Sequence, residues 1–339
     1  TAEEFDKLTA KAKEEGATTK FTAKDSADAF GYMAMAGWKT EDMLQGIDGI
    51  MSLAAASNED LATTSDIVTD ALTAFGLKAS DSGHFADVLA QASANANTNV
   101  GMMGESFKYV APVAGALKYS VEDVSLALGL MANASVKGSM AGTSLKTSLA
   151  NMAAPTDKME AAMDKYGISL TKRNGEMKTM HEVLDNLRSS LGGLSETEQT
   201  AAASTIFGKE AMAGMLAIIN ASEDDYNKLT AAVNNADGAS QQMADTMLDN
   251  MNGSFTPLQS AVDGTKIALG ERLSPYLREF ATWITNKMPL VEDAIGDVMD
   301  HVDAKVEDLR HTIAEFTASD EWASADIWGK LGIAWDKIV

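Results

Sequence analysis

At Ser57/Asp60, Ser120/Asp123, Thr179/Glu182, Ser195/Glu198 and Ser222/Asp225 a Ser or Thr stands three residues before an acidic residue. Each pair precedes apolar residues at helical spacing. A hydroxyl and a carboxylate so placed satisfy backbone N–H groups from both ends of a helix's first turn, so each pair predicts a helix start. A chain that starts helices this often, with short intervals between them, can only fold by packing short helices together. Each buries one face, and so each needs neighbours.

The apolar stripes agree. Met43, Leu44, Ile47, Ile50, Met51 and Ala54 follow Thr40, and Leu61, Val68, Leu72 and Phe75 run up to Gly76, a C-terminal cap. Phe85, Val88, Leu89 and Ala92 mark another helix, and Met159, Met163 and Tyr166 a short one closed by Gly167. Only 5 prolines interrupt 339 residues, while 20 Met and many Ala favour helix. The expected fold class is all-α: a multi-helix bundle of short capped helices, followed by longer helices. One exception is expected near residues 168–180, where Asn174-Gly175 in "ISLTKRNGEMKTM" is a strong tight-turn signal and predicts a small β-hairpin.

The length exceeds what one core usually absorbs. Three regions are expected: a compact helical core over 1–236, a long helix with a bend and connector over 237–289, and a final pair of helices over 290–339. In the second, Met243, Met247, Met251, Leu258 and Val262 lie on one side, and Gly253 and Pro257 allow the bend. In the third, Val291, Ile295, Val298, Val302, Val306, Leu309, Ile313 and Phe316 recur by threes and fours, close to a heptad seam for pairing with another helix. A Trp-bearing amphipathic helix follows. Trp322, Trp328 and Trp335 are candidate partner contacts, and the acidic residues around them disfavour a membrane surface.

Charge narrows the functional classes. With 49 acidic against 27 basic residues the net charge is −22, which repels phosphate backbones and anionic headgroups, so no direct nucleic-acid binding is expected. No apolar run reaches the roughly 18 residues of a membrane span. There is no cysteine, hence no disulfide, thiolate ligand or thiol nucleophile. The charged N-terminus is unlike a secretory signal. A start at Thr1 leads us to expect a piece of something longer.

One stretch resembles a catalytic loop. "KGSMAGTSLKTS" (137–148) is rich in small residues, but a phosphate-binding loop needs G-x-x-x-x-G-K-[ST]. Gly138 and Gly142 are one residue too close, Thr143 follows Gly142, and Lys146 comes too late. The expectation is a structural turn at Gly138 and Gly142 with close helix packing, and Thr143 or Ser144 capping the next helix. His84, His181 and His301 have acidic neighbours but no zinc spacing. "DNMNGS" (249–254) has Met251 where a calcium loop needs an oxygen. No G-x-S-x-G occurs. No catalytic residue, metal ligand or cofactor is nominated.

The order of segments, in contrast, is specific. "FTAKDSADAFGYMAMAGWKTEDMLQGI", "DLATTSDIVTDALTAFGL", "FADVLAQASANANTNVGMMGESFKYVAPVAGALKYSVEDVSLALGLMANASVKGSMAGTSLKTSLANMAAP", "YGISLTKRNGEMKTMHEVLDNL", "IFGKEAMAGMLAII" and "GERLSPYL" follow one another from Phe21 to Leu277. Together they closely resemble the shared core of phage tail tape measure proteins, a family common in long-tailed phages and prophages of Gram-positive bacteria. The resemblance implies a structural virion protein that lies in the tail tube, helps set tube length during assembly, and leaves ahead of the DNA at ejection. It implies tail tube and tail assembly proteins as partners, with self-association through helices. Its places are the tail lumen and, during assembly, the host cytoplasm. Some members also carry wall-hydrolase or membrane-active segments, the competing functional readings; no such segment is recognisable in this chain.

Overall fold

The computed structural model describes residues 1–248, together with isolated helical positions at 274–276, 278, 279, 282, 307, 311 and 315. Chain contacts divide into two units, Thr1–Lys266 and Ile267–Val339. Fourteen α-helices are described, all in the first unit: α1 (Ala2–Thr18), α2 (Ala23–Met35), α3 (Thr40–Ser57), α4 (Leu61–Phe75), α5 (Ser82–Asn95), α6 (Val100–Ala116), α7 (Val121–Asn133), α8 (Ser139–Ala153), α9 (Asp157–Tyr166), α10 (Met180–Leu191), α11 (Glu196–Phe207), α12 (Met212–Ile219), α13 (Glu223–Asn234) and α14 (Ala239–Leu248). One 3₁₀ turn, Ala79–Asp81, leads into α5. The position 236/237, where a domain change was expected, lies between α13 and α14, inside this first unit.

Helix starts follow the capping chemistry. Side chains of Ser120, Thr179, Ser195 and Ser222 each accept the backbone N–H three residues on, and full boxes close at Thr179/Glu182 and Ser195/Glu198. Ser57 departs from expectation. It is the last residue of α3, its hydroxyl turned back to the Leu53 carbonyl at 2.7 Å, and Asp60 itself caps α4. A carboxylate is as good an N-cap acceptor as a hydroxyl, so the acidic half of the pair took the role.

Helix ends share one device. Trp38, Leu77, Tyr119, Val136 and Ile168 each donate a backbone N–H to a carbonyl five residues earlier, with the residue before them left-handed. This closes the last turn and lays an apolar residue back onto the helix it leaves. The left-handed residue is Gly37, Gly76 or Gly167 in three cases, and Lys118 or Ser135 in two.

One core runs through α1 to α13. Phe85, Phe107 and Phe207 are fully buried among Met33, Ile47, Ile50, Leu72, Leu89 and Leu126. Phe107 of α6 meets Phe75 and Phe85 edge-on, ring centres 5.9 and 5.6 Å apart, an arrangement that contributes about 0.5–1.5 kcal/mol per pair beyond burial. Helix α6 packs most extensively on α8, and α3 on α5. Close approach depends on missing side chains: a Cβ on Gly142 of α8 would overlap the Ser106 carbonyl of α6, and one on Gly115 of α6 the Ala74 carbonyl of α4.

The expected β-hairpin at 168–180 is not present. Among the described residues there is no strand, only one isolated antiparallel bridge, Thr171 with Met177. The turn itself forms: Gly175, at φ +84°, donates to the Lys172 carbonyl (3.0 Å), and Asn174 Oδ1 accepts from the Glu176 N–H (3.1 Å). Two backbone bonds cross the turn, from the Lys172 N–H to the Glu176 carbonyl (2.7 Å) and from the Lys178 N–H to the Leu170 carbonyl (2.8 Å), but pairing stops at that one bridge. Ile168 and Leu170 are buried in the helical core, the Ser169 hydroxyl engages the Thr171 backbone, and Thr179 is required as the α10 cap. Two strands alone are marginal in water in any case.

Close packing makes a paired prediction. Gly142→Ala pushes a methyl into backbone and is expected to destabilise the chain by roughly 1–3 kcal/mol. Gly31→Ala, at an exposed α2 position with nothing within 4 Å, is expected to stabilise by roughly 0.5–1 kcal/mol. Urea unfolding of both variants, followed by helical circular dichroism, checks sign and size.

Candidate functional site

The stretch 137–148 holds helices together. Ser135 and Val136 close α7, and Gly138, at φ +57° and ψ −137°, turns the chain into α8 in a conformation natural only to glycine. Gly142 lies not in the turn but inside α8, where its bare backbone faces Ser106. The Ser106 hydroxyl bonds to the Gly138 carbonyl at 2.8 Å, tying α6 to the start of α8. Neither Thr143 nor Ser144 caps the helix, which begins earlier, at Ser139, with no side-chain cap bond. Ser144 instead donates to the Ala211 carbonyl at 2.8 Å, holding the segment before α12.

Two histidines sit in polar clusters that sequence spacing did not reveal. His84, at the start of α5, places Nε2 2.5 Å from Glu122 Oε1 at the start of α7, and Nδ1 3.5 Å from Asp237 in the α13–α14 connection. Partial burial works against the charged ring, but hydrogen bonds and charge from Glu122 and Asp237 together outweigh it, so the His84 pKa lies above its usual value. His181 of α10 meets the Tyr226 hydroxyl at 3.1 Å, and that hydroxyl donates to Asp185 at 2.8 Å. Burial, then Asp185, pushes the Tyr226 phenol well above its ordinary value. Arg188 lies over the same ring, 4.5 Å from its centre, and donates to the Ile218 and Ala221 carbonyls at 3.0 and 2.8 Å. Both clusters join separate helices, and every polar partner named is used in that joining.

Nearby, Asp123 of α7 reaches the Met180 N–H at 3.2 Å. Its carboxyl is raised by burial. At the N-terminal end, Lys11 of α1 bridges Glu15 (2.9 Å) and Asp48 of α3 (3.0 Å), with Glu15 buried and its carboxyl raised by that burial.

Among the described residues no group of three His, Asp or Glu is placed to hold a metal ion, and no helix is long and apolar enough to cross a membrane. Two clefts of about 660 Å³ each are open to solvent. One lies between α4 and α6, with Asp70 and Lys108 at its walls. The other is a shallow groove along α11. Trp322, Trp328 and Trp335, the heptad-like seam, Gly253, Pro257, His301 and the 249–254 loop all lie outside the described residues. Of the expected stripe on α14, Met243 packs half-buried against the core beside the buried Ala239, Ser240 and Ala244, while Met247 is 48% exposed.

The family model described as "Phage-related minor tail protein" matches residues 9–208. The tape measure protein of Pneumococcus phage Dp-1 is 36% identical over 285 residues, covering 84% of this chain and 25% of that protein. The probable tape measure protein of Escherichia phage P2 is 27% identical over 281 residues, covering 82% of this chain and 34% of that protein. The chain therefore spans about a quarter to a third of the length of these relatives. No solved structure matches it at a significant level.

The His84 cluster sets a pH dependence. A pKa raised on folding means that the protonated ring's contribution is full below its ordinary value of about 6.5 and is lost as pH rises through the folded pKa. We expect the His84 ring signal in an NMR titration to move at higher pH than in the unfolded chain. In Glu122→Gln the midpoint falls; an unmoved midpoint in that variant contradicts the assignment.

Proposed function

The chain belongs to the phage-related minor tail protein family, and on that premise we propose that it forms part of a tape measure protein: a structural element of the virion tail that helps set tube length and is released at DNA ejection. The observation that carries this reading is the alignment of 84% of the chain with one tape measure protein and 82% with another, in two different phages. The geometry fits a structural duty. Every cluster of ionisable groups described above is consumed in linking one helix to another, and the small-residue stretch at 137–148 is a packing element. Tail tube and tail assembly proteins are the proposed partners, the tail lumen its place in the virion, and the host cytoplasm its place during assembly. It is proposed to be no enzyme, and no observation favours a hydrolase or membrane-active role.

A helix rises about 1.5 Å per residue, so sequence length translates into spatial length without further parts. The described unit is not laid out that way, since α3 meets α14 and α8 meets α12 across long stretches of sequence. We propose that this block is compact in isolation and is stretched, or held at one end, within the tube. The test is a series of in-frame deletions in the parent gene that remove whole helix pairs, with tail lengths measured by electron microscopy. If the block is stretched, tails shorten in proportion to the residues removed, by about 1.5 Å per residue. Tails of unchanged length count against a length-setting role for this segment.

A further inference from the structure

Helix α14 begins on a contact made across a long stretch of sequence. The amide groups at its start are met by a side chain from another helix. Asp87 of α5 accepts the N–H of Gly238 at 2.7 Å, the N–H of Ser240 at 2.8 Å and the Ser240 hydroxyl at 2.6 Å, across about 150 residues of sequence. A negative charge at a helix N-terminus also complements its dipole. One turn before Asp87, His84 reaches Asp237, the residue preceding this cap.

Beyond that end α14 runs close along α3 and α5, but the side chains buried beneath it are small. Ser52 of α3 donates to Gln241 at 3.0 Å. Its buried Ala244 belongs to a small separate cluster with Ala55 and Ala56, bordered by Phe21 and Met243, and Met243 is the α14 residue that also packs against the main core. Against α5 the helix leaves an open cleft of about 200 Å³ beside Ala90, Ala94 and Met243. Alanine methyls bury little area, and hydrophobic stabilisation scales with area buried. The α6–α8 pair, in contrast, is sealed into the main core by Phe107, Leu145, Leu149 and Met152.

We infer that α14 is a releasable clasp on this unit: Asp87 holds its N-terminal end onto α5, and without that carboxylate α14 lifts from α3 and α5 while the other helices stay folded. The chain runs on from α14 into residues 249–339, so a pull or a binding event on that continuation reaches α14 before it reaches the main core. The inference concerns this unit's own contacts and does not rest on the tape measure reading.

The absence of cysteine from the chain makes the test clean, since one introduced thiol reports one site. Ala244→Cys places it under α14, where the position is 3% exposed, and Ser148→Cys, nearly isosteric, places it in the fully buried part of α8. Labelling by a thiol reagent is followed in the full chain, each reporter with and without Asp87→Ala. We expect labelling at 244 to accelerate at least tenfold with Asp87→Ala and labelling at 148 to stay unchanged. If both accelerate together, α14 is an inseparable part of one cooperative unit; if neither does, Asp87 holds nothing. Either result overturns the inference. A second measurement needs no change at Asp87: with that residue intact, the thiol at 244 should label faster than the thiol at 148, and equal rates also overturn it.

Discussion

The distance between helix backbones at α6 governs the rest of the fold. Two helices approach only as closely as the side chains between them allow, and at α6 several of those side chains are hydrogen atoms. Gly104 lies against Ile67, Gly115 against the Ala74 carbonyl, and Gly142 of α8 against the Ser106 carbonyl. With α4 and α8 drawn in on either side, Phe107 is enclosed and reaches Phe75 and Phe85 edge-on. A Cβ at Gly115 or Gly142 would meet backbone, which cannot rotate aside as a side chain can. The interior is close-packed, so a shift there propagates into the neighbouring helices. Small residues that look like a ligand loop in sequence are therefore the spacing elements of a bundle.

How much of this was legible depends on whether the deciding contact is local. Caps at Ser120, Thr179, Ser195 and Ser222, and helix ends at Gly76 and Gly167, are local events, and the residues that make them lie within a few positions of one another. The ends at Lys118 and Ser135 adopt the same left-handed geometry without glycine. Nothing in those residue types announces it; the apolar Tyr119 and Val136 that follow supply the packing that holds them there. The Asn174-Gly175 turn was readable, but the extent of pairing beyond it was not: the chain leaves the single bridge for the α10 cap at Thr179 on one side and the buried Ile168 on the other. Ser144 illustrates the same limit. Its hydroxyl was assigned to a local cap and instead bridges to Ala211, 67 positions away.

The polar clusters were the least legible features. The histidines have acidic neighbours in sequence, while the pairs that form are His84 with Glu122 and Asp237, and His181 with Tyr226 and Asp185. The one local contact among them is His181 with Asp185, at 3.4 Å. Asp87 is more instructive still. It sits in an α5 stripe of Phe85, Ala86, Val88 and Leu89, all fully buried, and reads as the polar side of an amphipathic helix. Its role emerges only when a helix start some 150 positions later is placed against it. The sequence Gly238-Ala239-Ser240 at the start of α14 lacks the hydroxyl-acid spacing that begins so many helices here, but α8 lacks a side-chain cap as well, so that lack alone did not point to Asp87.

A ruler and a folded body ask opposite things of the same helices. A ruler turns residues into length along one axis, whereas the described unit spends its residues on sideways contact, apolar face against apolar face. The gross burial favouring the body is large, at about 1.5–3 kcal/mol for each large side chain removed from water. The net cost of opening such a domain is far smaller, on the order of 5–15 kcal/mol, because the chain regains conformational entropy as contacts break. On the proposed reading, contacts with a surrounding tube need to supply only that difference to favour the extended form. Caps made within single helices, and turns made within a few residues, do not depend on the helices being packed together, so they are compatible with both states.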